Sequence, residues 1–187
     1  MSKTAAIIAA ILYVACVVAA NWATATFEPW HVAGLIITAG TWFIGATFIL
    51  RDVVQLGSSK RRAYYLIALA LLINFAMSLR NDDLLWITIG SCVAFAASET
   101  LDTEVFSMDG PYTIVSRVRN AALYAGLVDS ILFSVIALSP LTTGIVAWGD
   151  LWRVVLAQLI AKCIVGVLGS IPFSRLPADI DPTPERG

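Results

Sequence analysis

Apolar residues along this chain are grouped into six long runs, and charged residues, glycine or proline separate one run from the next. The runs cover residues 5–22, 32–50, 63–79, 84–106, 120–143 and 151–173. A helix needs about 20 mostly apolar residues to cross the hydrocarbon core of a bilayer. Backbone polar groups find no water there, so each run is predicted to be a helix. The pattern therefore predicts an all-α integral membrane protein with six transmembrane helices.

The composition supports a lipid environment. Hydrophobic residues make up 59% of the 187 positions, charged residues 13%, and the mean hydropathy is +0.83. Soluble domains have about 45–50% apolar and about 25% charged residues, so a soluble or disordered chain is excluded. The net charge is −1 and no long basic block is present, which argues against a nucleic-acid partner. The expected surroundings are a lipid bilayer.

Metal, cofactor and catalytic motifs are missing from the sequence. The three cysteines and the single histidine are scattered, and no Cys-x-x-Cys pair, phosphate-binding glycine loop or nucleophile elbow occurs. We therefore expect no metal, no cofactor and no catalytic residue. A membrane enzyme using Asp, Glu and Lys for acid–base chemistry, or a structural scaffold, remains an alternative at this point.

Lysine and arginine are divided unequally between the two ends of the predicted bundle, with nine at one end and two at the other. The nine are Lys3, Arg51, Lys60, Arg61, Arg62, Arg117, Arg119, Arg175 and Arg186, and the two are Arg80 and Arg153. Basic residues favour the cytoplasmic side. This predicts a multi-pass protein of the plasma (inner) membrane with both termini in the cytoplasm. A cleaved signal peptide ending near residues 23–25 is the alternative for the first run.

The chain is predicted to hold one structural unit. Residues 1–176 should form a single six-helix transmembrane domain. Residues 177–187 are polar and contain prolines, which predicts a disordered cytoplasmic tail. Alanines at four-residue spacing in the first run, at positions 5 and 9 and at 6 and 10, serve either helix packing or the docking of a second protein.

Two opposite charges fall near the middle of the last two runs. Asp129 and Lys162 have similar predicted depths, and an ionisable group at the bilayer centre costs at least about 2.5–3.5 kcal/mol. They form either a structural ion pair, or a wall of a ligand cavity, or both. Gln158 lies four residues before Lys162, and Phe133 four residues after Asp129, so each shares a helix face with its charged neighbour.

Other polar and aromatic residues add to this inventory. Glu99 and Asp102 occur within one turn of the fourth run, Asp52 follows the second run, and Trp42 lies inside it. Carboxylates accept paired N–H donors, amides both donate and accept, and aromatic rings stack on flat rings. The set suits a planar, hydrogen-bonding heterocycle better than a metal ion, which would need three clustered ligands.

Several motifs in order resemble those of a known family. They are residues 20–21 (AN), 43–52 (FIGATFILRD), 98–106 (SETLDTEVF), 117–120 (RVRN) and 128–137 (VDSILFSVIA), followed by Gln158 and Lys162 in the last run. Together they resemble the vitamin uptake transporter (VUT) family of queuosine precursor transporters. The likeness extends from residue 20 to about residue 172.

The resemblance implies a fold similar to the substrate-binding S-component of energy-coupling-factor importers. It implies import of a deazaguanine base (preQ0 or preQ1), with a homo-oligomer or an energy-coupling module as a possible partner. The alternative is an S-component-like vitamin or nucleobase-binding subunit that needs a separate ATPase module. The implied substrate-binding residues are Asn21, Trp42, Asp52, Glu99, Asp102, Asp129, Phe133, Gln158 and Lys162. Asp129 or Glu99 would accept the donor edge of the base, Lys162 would balance charge or donate, and Phe133 or Trp42 would stack.

Overall fold

The computed structural model describes residues 2–78, 85–108 and 112–176 of the chain. It contains six long helices: α1 (Lys3–Thr26), α2 (Gly40–Gly57), α3 (Lys60–Ser78), α4 (Leu85–Ser107), α5 (Ile114–Phe133) and α6 (Leu151–Ser170). A π-helix (Ser134–Leu138) continues α5, and a 3-10 helix (Ile171–Arg175) continues α6. Two short strands, β1 (Trp30–Val32) and β2 (Leu35–Ile37), lie between α1 and α2. Every predicted run thus contains a helix.

The prediction of a helix from residue 32 onward is wrong for the first residues of that run. Residues 30–37 form an antiparallel hairpin instead, with Trp30 opposite Ile37 and Val32 opposite Leu35. Its two-residue turn is Ala33–Gly34, whose φ angles are 49° and 78°. Positive φ at both turn positions suits the right-handed twist of a tight hairpin, which an apolar pattern alone does not reveal. As a result α2 begins at Gly40 and extends beyond the predicted end to Gly57.

The extension of α2 also corrects the charge count. Arg51, one of the nine basic residues expected at the cytoplasmic end, lies within α2 and its side chain is 0% exposed. α5 likewise begins before its predicted start at residue 120, because Thr113 caps it by accepting a hydrogen bond from the Ser116 amide at 3.2 Å. Arg80, Arg186 and the predicted tail at 177–187 lie outside the described residues.

The outer surface of the bundle is apolar. Large hydrophobic side chains are exposed on at least three of the helices, for example Ile7 and Ile11 on α1, Leu72 on α3 and Ile131 on α5. Within the described part of the chain, three helical segments are long and apolar enough to cross a membrane: Lys3–Thr24, Ile114–Leu138 and Leu151–Arg175. An apolar surface of this kind is what a lipid-embedded bundle presents.

Small residues bring neighbouring helices close together. Ala6 and Ala9 of α1 are buried, and a Cβ added at Gly57 of α2 would lie 2.7 Å from the Ala6 Cβ. At the other end of the same pair, a Cβ at Gly40 would lie 2.6 Å from the Ala20 carbonyl oxygen. Ala6 and Ala9 therefore pack inside the bundle, as small residues at helix interfaces do.

A glycine also allows close contact between α4 and the π-helix. A Cβ added at Gly90 would lie 2.8 Å from the Ala137 backbone nitrogen and 3.0 Å from its Cα. Three hydroxyl groups, those of Ser139, Thr142 and Thr143, donate to π-helix carbonyls at 2.6–2.7 Å. The carbonyl groups at the end of this segment are thus satisfied locally rather than by water.

Candidate functional site

A cavity of about 320 Å³ lies among the six helices. Its volume is in the range of small-molecule sites, about 300–1,000 Å³. Every helix contributes to its wall, which is formed by Ala20, Asn21, Trp22, Thr24, Thr38, Gly40, Thr41, Ile44, Asn74, Ile87, Thr88, Ser91, Phe95, Asp129, Phe133, Gln158 and Lys162. These residues come from the end of α1, the beginning of α2, the end of α3 and the beginning of α4, so the cavity lies in one half of the bundle.

An ion pair forms one wall of this cavity. The Lys162 Nζ donates to Asp129 Oδ2 at 2.5 Å and to the Ser130 hydroxyl at 3.0 Å. Ser98 of α4 donates to the other Asp129 oxygen at 3.3 Å. Gly126, one turn before Ser130 on α5, leaves room for the lysine stem, since a Cβ there would lie 3.3 Å from the Lys162 Cβ. The two charges are thus paired and also border a void.

Gln158 brings an unused donor to the cavity. Its side-chain oxygen accepts from Lys162 Nζ at 3.4 Å, one helical turn away. An ammonium only donates, so the amide oxygen faces it and the NH₂ group points elsewhere. Within the described residues Gln158 Nε2 has no hydrogen-bond partner, although the residue is only 2% exposed. A buried donor without a partner is costly, and a ligand acceptor in the cavity would satisfy it.

Amides and hydroxyls line the far side. Asn21 Nδ2 donates to Asn74 Oδ1 and so joins α1 to α3. Asn74 in turn donates to the Ser91 hydroxyl on α4 at 3.3 Å. The hydroxyls of Thr38 and Thr41 share a hydrogen bond of 2.8 Å at the beginning of α2. Each of these groups keeps donor or acceptor capacity that a polar ligand could use.

Aromatic rings complete the cavity wall. Phe95 of α4 and Phe133 of α5 line it together with Trp22 of α1, whose side chain is also exposed at the surface. Trp42, the other predicted stacking residue, is half-buried on α2 and is not part of this wall. Stacking on a flat ligand therefore depends on the phenylalanines or on Trp22.

A second polar cluster lies further along α2 and α4. We call it the Arg51 cluster; it consists of Arg51, Asp52, Glu99 and Asp102, all with 0% exposed side chains. Arg51 Nη2 contacts Asp52 Oδ1 at 2.5 Å and also contacts Asp102 Oδ2, and Arg51 Nε lies 3.4 Å from Glu99 Oε2. The cluster is in the half of the bundle opposite the cavity.

Further contacts surround this cluster. Thr47 donates to Glu99 Oε1 at 2.7 Å, and Arg51 Nη1 donates to Gln55 Oε1 at 3.0 Å. The Phe106 ring lies 5.9 Å from the Arg51 guanidinium carbon, within the distance of a cation–π contact. Beyond it, at the exposed end of α3 and α4, Lys60 pairs with Glu104 at 2.7 Å. The buried cluster thus separates the cavity from this charged end of the bundle.

The structure divides the nine predicted site residues into three groups. Asn21, Asp129, Phe133, Gln158 and Lys162 line the cavity. Asp52, Glu99 and Asp102 surround Arg51 instead, and Trp42 belongs to neither set. For residues 2–78, 85–108 and 112–176, no group of three His, Cys, Asp or Glu side chains is placed to hold a metal ion.

The sequence profile of a family described as "Putative vitamin uptake transporter" matches residues 81–176, which are 96 of the chain's 187 residues. The chain belongs to the vitamin uptake transporter family. The matched region runs from α4 to the 3-10 helix and includes both Asp129 and Lys162. No curated protein and no solved structure matches the chain. Family membership and the apolar helices make this a multi-pass membrane protein with a role in transport.

For this transporter, sequence reasoning missed several residues of the cavity. Asn74, Ser91 and Phe95 were not predicted site residues, although Asn74 is the single amide in the middle of an otherwise apolar run. A lone polar residue at membrane depth is the signal that could have identified it. Ser91 and Phe95 carry no comparable signal, because serine and phenylalanine are common in helix packing.

Proposed function

We propose that this transporter imports a deazaguanine base, preQ0 or preQ1, through the cavity between its helices. The observation that carries the proposal is the wall formed by Asp129, Lys162 and Gln158, whose amide nitrogen has no partner among the described residues, with Phe133 beside it. The motif resemblance to queuosine precursor transporters supports the same substrate class. Acidic, basic, amide and aromatic groups in one small cavity match a flat base with both donor and acceptor edges.

The base has an edge for each of these groups. A deazaguanine carries the guanine-like ring N–H and exocyclic NH₂ donors, and a carboxylate accepts such a pair. Asp129 uses one oxygen for Lys162 and one for Ser98, and a carboxylate has about four lone-pair sites, so acceptor capacity remains. Gln158 Nε2 or Lys162 then donates to the carbonyl oxygen of the base. Phe133 or Phe95 provides a face for stacking.

In this proposal the protein lies in the inner membrane and all six helices cross the bilayer. Both termini are then in the cytoplasm. The α2–α4 helices have 18, 19 and 23 residues, enough to span or nearly span the hydrocarbon core. Arg51, Asp52, Glu99 and Asp102 are compatible with this depth because they contact one another rather than lipid. Lys60, Arg61 and Arg62 lie at the proposed cytoplasmic end.

The transporter is proposed to work as a permease rather than as a subunit docked through the alanines of α1. Ala6 and Ala9 are buried against the rest of the bundle and are thereby occupied in internal packing. At 6% and 4% exposure, these two alanines present little surface to an energy-coupling module. Co-purification of ATPase subunits with the protein would favour the docked alternative.

Ligand-dependent thermal stability of the purified protein tests the substrate. A ligand at one hundred times its Kd stabilises the folded state by about 2.7 kcal/mol. We expect preQ0 or preQ1 to raise the Tm and adenine to leave it unchanged. Asp129→Asn and Lys162→Met should lose this response, whereas Asp150→Asn, which removes an exposed carboxylate before α6, should keep it. An equal response to every base, or to none, overturns the substrate.

A further inference from the structure

The Arg51 cluster contains more negative than positive charge. Three carboxyl groups, those of Asp52, Glu99 and Asp102, contact one guanidinium, so the fully ionised cluster has a net charge of −2. All four side chains are 0% exposed. Burying a charge without compensation costs several kcal/mol, and neutralisation by a proton avoids that cost. Two protons would make the cluster neutral.

Among the residues that the structure describes, the neighbouring groups do not supply the missing positive charge. Tyr13 approaches Glu99 from α1, and Thr47 and Gln55 of α2 add only neutral contacts. From the exposed end, Lys60 pairs with Glu104, and Tyr64 of α3 donates to the same carboxylate at 2.5 Å. On the other side, Lys162 is held by Asp129. The charged groups around the cluster thus have partners of their own.

Two carboxyl oxygens of the cluster have neither a hydrogen-bond partner nor an ion-pair contact in the part of the chain that the structure describes. They are Asp52 Oδ2 and Asp102 Oδ1, and both atoms are buried. The carboxyl groups are not arranged to hold a metal ion, as far as residues 2–78, 85–108 and 112–176 show. A proton needs no coordination shell, so it is the cation that this site can accept.

Hydrogen bonds and neighbouring positions on α2 and α4 link the Arg51 cluster to the residues that line the cavity. Glu99 lies one helical turn after Phe95 on α4. The hydroxyl of Thr47 lies within hydrogen-bond distance of both Glu99 Oε1 (2.7 Å) and the carbonyl oxygen of Ile44 (2.8 Å), a cavity residue on α2. Ser98, next to Glu99 in sequence, donates to Asp129. A shift of α2 or α4 that accompanies substrate binding would therefore move the carboxyl groups relative to Arg51.

We propose that the Arg51 cluster is a proton-coupling site, so that protons travel inward together with the base. This inference rests on the proposed function. In each cycle a proton from the outer aqueous phase binds a carboxylate of the cluster and forms a neutral carboxyl group. When the inner half of the bundle opens, the carboxyl group releases that proton to the cytoplasm. The ionised cluster then stays closed until the next proton arrives.

Uptake by proteoliposomes tests the coupling. Vesicles with an alkaline interior and a clamped membrane potential are supplied with labelled preQ0, which is uncharged. With one proton per base, each pH unit should sustain about a tenfold inside-to-outside ratio. A protonophore should abolish this accumulation. Asp102→Asn should lose accumulation but keep exchange of labelled for unlabelled base, and Glu104→Gln, on the same helix but exposed, should behave like the unchanged protein.

The outcomes separate this inference from the proposed function. If preQ0 equilibrates to the same level with and without the gradient, import stands and proton coupling is overturned. If no base is taken up at all, both are overturned. Infrared spectroscopy adds a readout that does not depend on transport: the carbonyl stretch of a protonated carboxyl group should be lost in Asp102→Asn or, where that variant does not fold, in Glu99→Gln. A spectrum without such a band in the unchanged protein contradicts the inference.

Discussion

The Asp129 carboxylate and the Lys162 ammonium meet at 2.5 Å between α5 and α6, and both side chains border the same cavity. Pairing and exposure to a ligand are therefore compatible in this bundle. Under the proposed function, the pair satisfies the two charges before a base binds and then offers a preformed acceptor and donor. Such preorganisation lowers the cost of binding.

Removal of one member of this pair should destabilise the protein strongly. Lys162→Met leaves the Asp129 carboxylate buried without its cation, and we expect a loss of about 3–5 kcal/mol in the free energy of unfolding. The double variant Asp129→Asn with Lys162→Met should lose less than the sum of the two single changes. Denaturant unfolding in detergent measures this cycle. Strict additivity would show that the two side chains are not energetically coupled.

Gln158→Leu should separate binding from stability. The substitution removes an amide donor that has no partner in the described structure, and it also removes the 3.4 Å contact that Lys162 Nζ makes with the amide oxygen. Lys162 keeps its hydrogen bonds to Asp129 and Ser130, so the ligand-free protein should be about as stable as before. Binding of preQ0 should weaken by about 0.5–1.5 kcal/mol, because a hydrogen bond to the ligand is lost. Isothermal titration gives the affinity and thermal unfolding the stability. Unchanged affinity would place the base away from α6.

Gly40→Ala should disturb the contact between α1 and α2 at the edge of the cavity. The added Cβ would lie 2.6 Å from the Ala20 carbonyl oxygen, a contact that only backbone movement can relieve. We expect a loss of about 1–3 kcal/mol in stability together with weaker ligand binding. Gly149→Ala is the matched control, since no atom lies within 4 Å of the Cβ position there. Equal effects of the two changes would contradict the close approach.

The proposed topology predicts opposite accessibility for two loops. In a variant without Cys16, Cys92 and Cys163, a single cysteine is introduced either at Met108, between α4 and α5, or at Ala147, before α6. A membrane-impermeant thiol reagent added to intact cells should label Ala147→Cys only. Met108→Cys should react after the cells are opened. Labelling of both positions from outside would rule out the six-span arrangement.

The sequence predicted the helices well because lipid permits few alternatives. In lipid, the backbone of a long apolar run must form its hydrogen bonds within the segment, which makes it a helix. The boundaries of α4 and α6 followed from the flanking charges and prolines. The hairpin at residues 30–37 escaped prediction because its strands are as apolar as a helix. The burial of Arg51 was not predicted for a different reason: besides its neighbour Asp52, it depends on tertiary contacts with Glu99 and Asp102 of α4.

The candidate site was predictable only in part. Asp129, Gln158 and Lys162 could be recognised because polar groups in apolar helices need a reason to be there. Their helix spacing also placed Gln158 and Lys162 on one face, which the hydrogen bond between them confirms. Which polar residues share one cavity depends on how the helices are rotated and packed. For that reason Glu99 and Asp102 could not be separated from Asp129 before the helices were assembled.

The close approach of Gly90 and Ala137 limits the size of the ligand that the cavity can accept. Main-chain atoms of α4 and of the segment after Phe133 touch there, so no side-chain rearrangement can bring the two helices closer. Phe95 and Phe133, which these helices carry, are consequently held at a spacing that the backbone determines. A bulkier base would therefore have to find its additional width elsewhere along the cavity wall.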